Sequence, residues 1–210
     1  SDPSPTWNIR GRLLSSSGKV VGEELILSPK LFPSIAFSSA ARLEDGRFVA
    51  TWISSLDLDG KVDGPTTFRM FDSSGGPLGP SVAVDSPWLQ DPSVNMERIA
   101  PFVTALSTGG FAIVWSEYAF GEFSPTGVAM AVFDDEGAMV EVTGLQYFKS
   151  GGSDCWAGRP TMASVPSSGN ILVSWDFGDS CKWVGSLDGH WKSIVSTLVS
   201  VPDLSLGSAT

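Results

Sequence analysis

Apolar positions fall in short runs that alternate with polar ones and break every few residues at glycine, serine, aspartate or proline. Examples are Arg47-Phe48-Val49-Ala50-Thr51-Trp52 and Gly110-Phe111-Ala112-Ile113-Val114-Trp115. Runs of this length bounded by turn residues predict β-strands joined in hairpins. None approaches the roughly 18 apolar residues that a membrane span needs.

One pattern recurs about every 60 residues. Its first half is a hairpin of turn residues, four apolar-rich positions and a tryptophan: Ala41 to Trp52, Ala105 to Trp115 and Val165 to Trp175. Its second half is a further hairpin, seen as Phe68-Arg69-Met70-Phe71-Asp72-Ser73-Ser74-Gly75 and as Met130-Ala131-Val132-Phe133-Asp134-Asp135-Glu136-Gly137. A copy without its first half opens the chain at Ile9 to Gly22, so Gly18, Gly75 and Gly137 occupy one equivalent turn. Two hairpins per unit make a four-stranded antiparallel sheet, with strands a to d. Several such sheets side by side predict an all-β, propeller-like array. The expected layout is a single domain over 1–210, with a half unit at 7–28, full units at 33–86, 99–147 and 158–200, and a tail at 201–210. Trp52, Trp115 and Trp175 are expected to pack between adjacent blades. A β-sandwich is the competing fold, but it would not require tryptophan at one repeated position. The half unit lacks its a and b strands. They must come from the tail, from a longer protein or from a partner chain, or an edge stays unpaired.

The order of turn, Gly-Phe-Val-Val-like run, Trp, acidic loop and Phe-Asp-x-x-Gly resembles the Trp-terminated repeats of large secreted bacterial proteins. The resemblance spans residues 9–175 and implies a propeller in an extracellular setting. Beyond it, Leu187-Asp188-Gly189 is expected to stand in for the Phe-Asp-x-x-Gly turn of the last unit.

Composition narrows the partners. Gly 23 and Pro 14 fit a turn-rich β protein, and hydrophobic residues at 42% exclude a disordered tail. The net charge of −10 comes without any basic cluster. Nucleic acid is therefore excluded as a partner, since binding it rests on neutralising phosphates. The same repulsion disfavours an anionic membrane surface. Ser1-Asp2-Pro3-Ser4-Pro5 has neither the basic nor the apolar region of a leader, so any leader is expected to have been removed already.

With the a–b turn of the last unit centred on Ser168, Cys155 and Cys181 fall opposite each other beyond the strand ends. That predicts a disulfide and an oxidising compartment. The long loops, at 54–66, 86–98, 116–127, 148–158 and 177–184, lie at the end opposite the tight turns. Trp88, Tyr118, Trp156 and Trp183, together with Phe120 and Phe123, fall there and are the expected contacts for a glycan or a protein partner. Asp57, Asp59 and Asp63 stand around Gly60 in a partial oxygen-ligand pattern for Ca²⁺, or else form a solvated acidic turn. No other cofactor is implied.

Catalytic motifs are thin. The sole histidine, His190, is far from any Gly-x-Ser-x-Gly elbow. Ser186 to Trp191 resembles a contracted form of the Ser-x-Asp-x-Gly-x-Thr-Trp turn of sialidases, which is structural even there. Asp154 with Asp179 is a carboxylate pair of the kind that does acid–base work on a glycoside. The reading that follows is a secreted, non-enzymatic binding module for a glycan or extracellular protein. The alternatives are a structural subunit of an extracellular assembly completed by another chain, and a propeller glycosidase.

Overall fold

The computed structural model describes residues 8–28, 34–55, 64–87, 96–119, 125–149, 155–157, 159–179 and 191–201. Strands β1 (Arg10–Leu14) and β2 (Val20–Ile26) form a two-stranded hairpin. A four-stranded sheet follows, of β3 (Ser34–Arg42), β4 (Phe48–Ser55), β5 (Thr66–Phe71) and β6 (Val82–Ala83), paired in that order. The next holds β7 (Met96–Ala105), β8 (Phe111–Ala119), β9 (Pro125–Phe133) and β10 (Met139–Lys149), also in order. The last comprises β11 (Cys155–Ala157), β12 (Thr161–Val165), β13 (Asn170–Asp179) and β14 (Trp191–Val199). All pairings are antiparallel.

The repeated glycines earn their equivalence in the turns. Gly18, Gly75 and Gly137 each donate a backbone N–H to the residue three before it, Ser15, Asp72 and Asp134, at 2.9, 3.1 and 3.2 Å. At the a–b turns the rule is tighter. A Cβ on Gly110, which has φ of +73°, would lie 2.1 Å from the Phe133 carbonyl oxygen, so strand β8 starts beneath its own blade's c–d turn only because that position is glycine.

The core is divided into slabs between successive sheets. Trp52 packs with Ile9, Leu27, Ala50 and Phe71, against the N-terminal hairpin. Trp115 lies in a slab with Val49, Phe68 and Met70 of the sheet before it, and Trp175 in one with Ala112, Val114 and Met130. All three are buried. At about 25 cal/mol per Å² over roughly 200 Å², each burial contributes roughly 5 kcal/mol of transfer free energy before entropy. Strand β8 serves two slabs, since Phe111, Ile113 and Trp115 face one and Ala112 and Val114 the other. Within the first slab, Phe68, Phe111 and Phe133 cluster with ring centroids 4.7 to 5.2 Å apart.

Sheets stacked in series, with the first strand of each beside the first strand of the next, make a propeller array and not a sandwich. β3 runs beside β7 and β7 beside β12, and the Val103 N–H donates to Ser39 Oγ at 3.3 Å. These innermost strands are interrupted at matching heights. The register of β3 shifts between Ala36 and Ser38, and that of β7 between Ile99 and Phe102. At those bulges Phe37 and Ala100 take φ of 55° and 50°, a region that L-residues avoid.

The last unit departs from expectation in three respects. β11 and β12 pair with successive stretches of β13 and together form one broken inner strand. β14 pairs with the other edge of β13 and so takes the c position. Leu187-Asp188-Gly189, outside the described residues, therefore precedes strand c instead of turning after it. The register also differs. Val165 faces Asn170, but beyond the break Cys155 faces Asp179, because the turn and the interruption each shift the pairing.

Candidate functional site

The b–c and d–a connections all lie at one end of the sheets, and there the second blade holds a buried carboxylate. Glu117 is fully buried on β8, between Arg98 of β7 and Gly127 of β9 in the register. Its Oε1 accepts the Trp115 indole N–H at 2.5 Å, and its Oε2 accepts the hydroxyl of Ser86, which comes from the connection after β6. Both carboxyl oxygens have a donor, as a polar group removed from water requires. Glu117 thereby fastens the connection out of one blade to the second strand of the next. A loop at 116–127 is not what the structure shows, because β8 runs to Ala119, and this hides Glu117 from a reading that looks for acids in loops.

The innermost strands carry a different chemistry. Phe37, at its bulge, is 40% exposed, and the Arg159 guanidinium sits 5.8 Å from its ring centroid. Phe37 belongs to the first full blade and Arg159 lies at the break between β11 and β12 in the third, so the contact joins innermost strands that are not neighbours. A strained, exposed aromatic facing a guanidinium offers an apolar platform and a multiple donor side by side.

Of the expected contacts, Tyr118 lies within β8, opposite Glu97 and Thr126, and Trp156 lies within β11. Both are strand residues, not loop residues as expected. Trp156 and Trp191 stand opposite Gly178 from its two sides. Asp179 faces Cys155, which neighbours Asp154 in the chain. Trp88, Trp183, Phe120, Phe123, Asp57, Asp59, Asp63, Asp154, Cys181 and His190 lie outside the described residues.

The tight-turn end is acidic. Hydrogen bonds from the Ser74 hydroxyl, then from the Gly76 and Ser74 amides, hold the Asp72 carboxyl below its ordinary range. Asp45 is lowered chiefly by the Arg47 amide. Glu136 is raised, first by its hydrogen bond with Asp135 and then by that group's charge. Arg47 reaches Asp135 at 3.6 Å and so links turns of adjacent blades.

No family model matches the chain, and no curated protein matches it. Among solved structures, an α-L-arabinanase of Penicillium chrysogenum complexed with arabinobiose superposes with a TM-score of 0.50 at 12% identity, covering 84% of this chain and 50% of that one. An endo-arabinase from Bacteroides thetaiotaomicron gives 0.49 at 16% identity, covering 90% and 64%. A levansucrase mutant of B. megaterium gives 0.47 at 9%, covering 85% and 49%. The fold is a β-propeller-like array of the kind the arabinanase has. The chain spans about half the length of that enzyme. This likeness overturns the expectation of a non-enzymatic binding module or structural subunit, because the architecture is shared with an enzyme. Among the described residues no helix is long and apolar enough to cross a membrane.

Proposed function

We infer that the chain belongs to a carbohydrate-active enzyme that cleaves glycosidic bonds at the long-loop end of its innermost strands. The observation that carries this is the Phe37–Arg159 pair, in which an exposed aromatic ring at a strand bulge stands beneath the guanidinium of a non-adjacent blade. A sugar presents one apolar C–H face and a rim of hydroxyls, which such a pair matches with stacking and hydrogen-bond donors. The fold shared with an arabinanase supports the same reading. Glycoside cleavage needs two carboxylates flanking the bond. Glu97, near the start of β7, and Asp179, at the end of β13, both lie at the long-loop end and are assigned that role here. An extracellular setting with a Cys155–Cys181 disulfide belongs to this proposal, and peptide mapping without reduction tests it.

The deciding experiment incubates the protein with α-L-arabinan and a panel of aryl glycosides and measures released reducing ends. Release that falls at least a thousandfold in Glu97→Gln or Asp179→Asn, on the order expected for losing a catalytic carboxyl, supports the reading. Absence of both release and calorimetric binding across the panel would sink it.

A further inference from the structure

A groove of about 590 Å³ separates the N-terminal hairpin from the first full blade, lined by Leu13, Leu25, Leu27, Ala40, Phe48 and their neighbours. The repeat shows what belongs there. Counting back from the repeated tryptophans, Phe48 corresponds to Phe111 and to Ile171. Through the strand pairing, Ala40 corresponds to Val103 and to Met162. In the later blades these positions are sealed, with Phe111 and Ile171 at 0%, Val103 at 2% and Met162 at 7% exposure. In the first blade Ala40 is exposed and Phe48 only half-buried. The residues that share slabs with the later pairs come from strands b and c of the preceding blade, and strand b contributes Val49 beside Val103 and Phe111, and Ala112 and Val114 beside Met162 and Ile171. Of these two strands the N-terminal hairpin has c, and among the described residues it has no b.

The hairpin's own strands agree. β1 corresponds to strand c, and among the described residues it pairs only with β2 and no strand lies on the edge that strand b would occupy. Through the shared turn glycine, Leu14 corresponds to Phe71 and Phe133. Those two are 1% and 2% exposed, whereas Leu14 is 62% exposed. An open edge beside apolar side chains takes up a strand by β-augmentation.

We propose that this groove is the seat of one further a–b hairpin of the same repeat, from polypeptide outside residues 1–210, with its strand b antiparallel on β1 and an apolar side chain over Ala40 and Phe48. The inference concerns how the blade is completed and stands whether or not the protein cleaves glycans. Hydrogen exchange is the test, with the second blade's hairpin, residues 98–117, supplied as a peptide and also fused through a flexible Gly-Ser linker ahead of residue 1. The expected result is at least tenfold slower exchange of the β1 amides in the fusion or with saturating peptide, lost when Ala112 and Val114 of the added copy, the residues that face the following blade, are changed to aspartate. Unchanged β1 exchange in the fusion would overturn the proposal. So would protection of β1 in the unmodified chain that rises with protein concentration, since a second copy would then be the occupant.

Discussion

Trp115 donates its indole N–H to Glu117, two residues along its own strand, while the indole N–H groups of Trp52 and Trp175 have no partner among the described residues. Residues two apart on a strand share a face, so the pair is local and is set by the sequence Trp115-Ser116-Glu117. Trp115→Phe therefore removes both buried area and the donor of a buried carboxylate, whereas Trp52→Phe removes area alone. Urea unfolding is expected to show the first to be costlier by about 1–3 kcal/mol. Equal costs would mean that the carboxylate gains nothing from the indole.

Gly109 and Gly110 both have positive φ, yet only Gly110 faces backbone at contact distance. Gly109→Ala should cost about 1–2 kcal/mol, the conformational term alone. Gly110→Ala must displace the Phe133 carbonyl and should cost several times that, read as a fall in Tm and in soluble yield. A Gly110→Ala protein as stable as Gly109→Ala would show that the turn can move away.

The Asp72 turn gives a pH signature. A folded-state pKa below the unfolded one makes a contribution that is present above the unfolded value and is lost as pH falls through the folded one. Asp72→Asn should lower Tm at pH 7, with the difference closing in acid as pH falls below the ordinary aspartate range and through the folded-state value. Glu136 has the opposite sign. Its raised pKa favours the protonated form in the folded state, so Glu136→Gln should raise Tm at neutral pH and leave it unchanged in acid. Melting curves of both variants across pH check the two signs together.

At Phe37 backbone strain and ligand contact can be separated. Phe37→Ala and Phe37→Gly both remove the ring, but glycine also accepts φ of 55° without penalty. The glycine variant should be more stable than the alanine variant by about 1 kcal/mol. Both should lose glycan affinity to the same degree by calorimetry. Affinity retained in either one would take Phe37 out of the site.

Much of this was legible in the residues. The glycine turns and the three tryptophans reported the blades, because tight turns and interblade packing each demand a particular residue type. Glu117 was not, since alternation cannot distinguish a polar residue at a frayed strand end from a buried one whose partner, Ser86, is remote in sequence. Phe37 and Ala100 were hidden for a related reason. A bulge in an inner strand is imposed by neighbouring strands, and no glycine marks it. The register around Cys155 differs by two residues from that expected, because neither the offset at the Ser168 turn nor the break between β11 and β12 leaves a trace in the apolar pattern.

The alternation of β8 between two slabs has a kinetic corollary. Sliding this strand by one position against either neighbour would turn Phe111, Ile113 and Trp115 into the space shaped for Ala112 and Val114, spoiling two interfaces in a single error. A mispairing of β8 is thus penalised on both faces at once, and correct alignment of this strand acts as a checkpoint for the sheets on both sides of it.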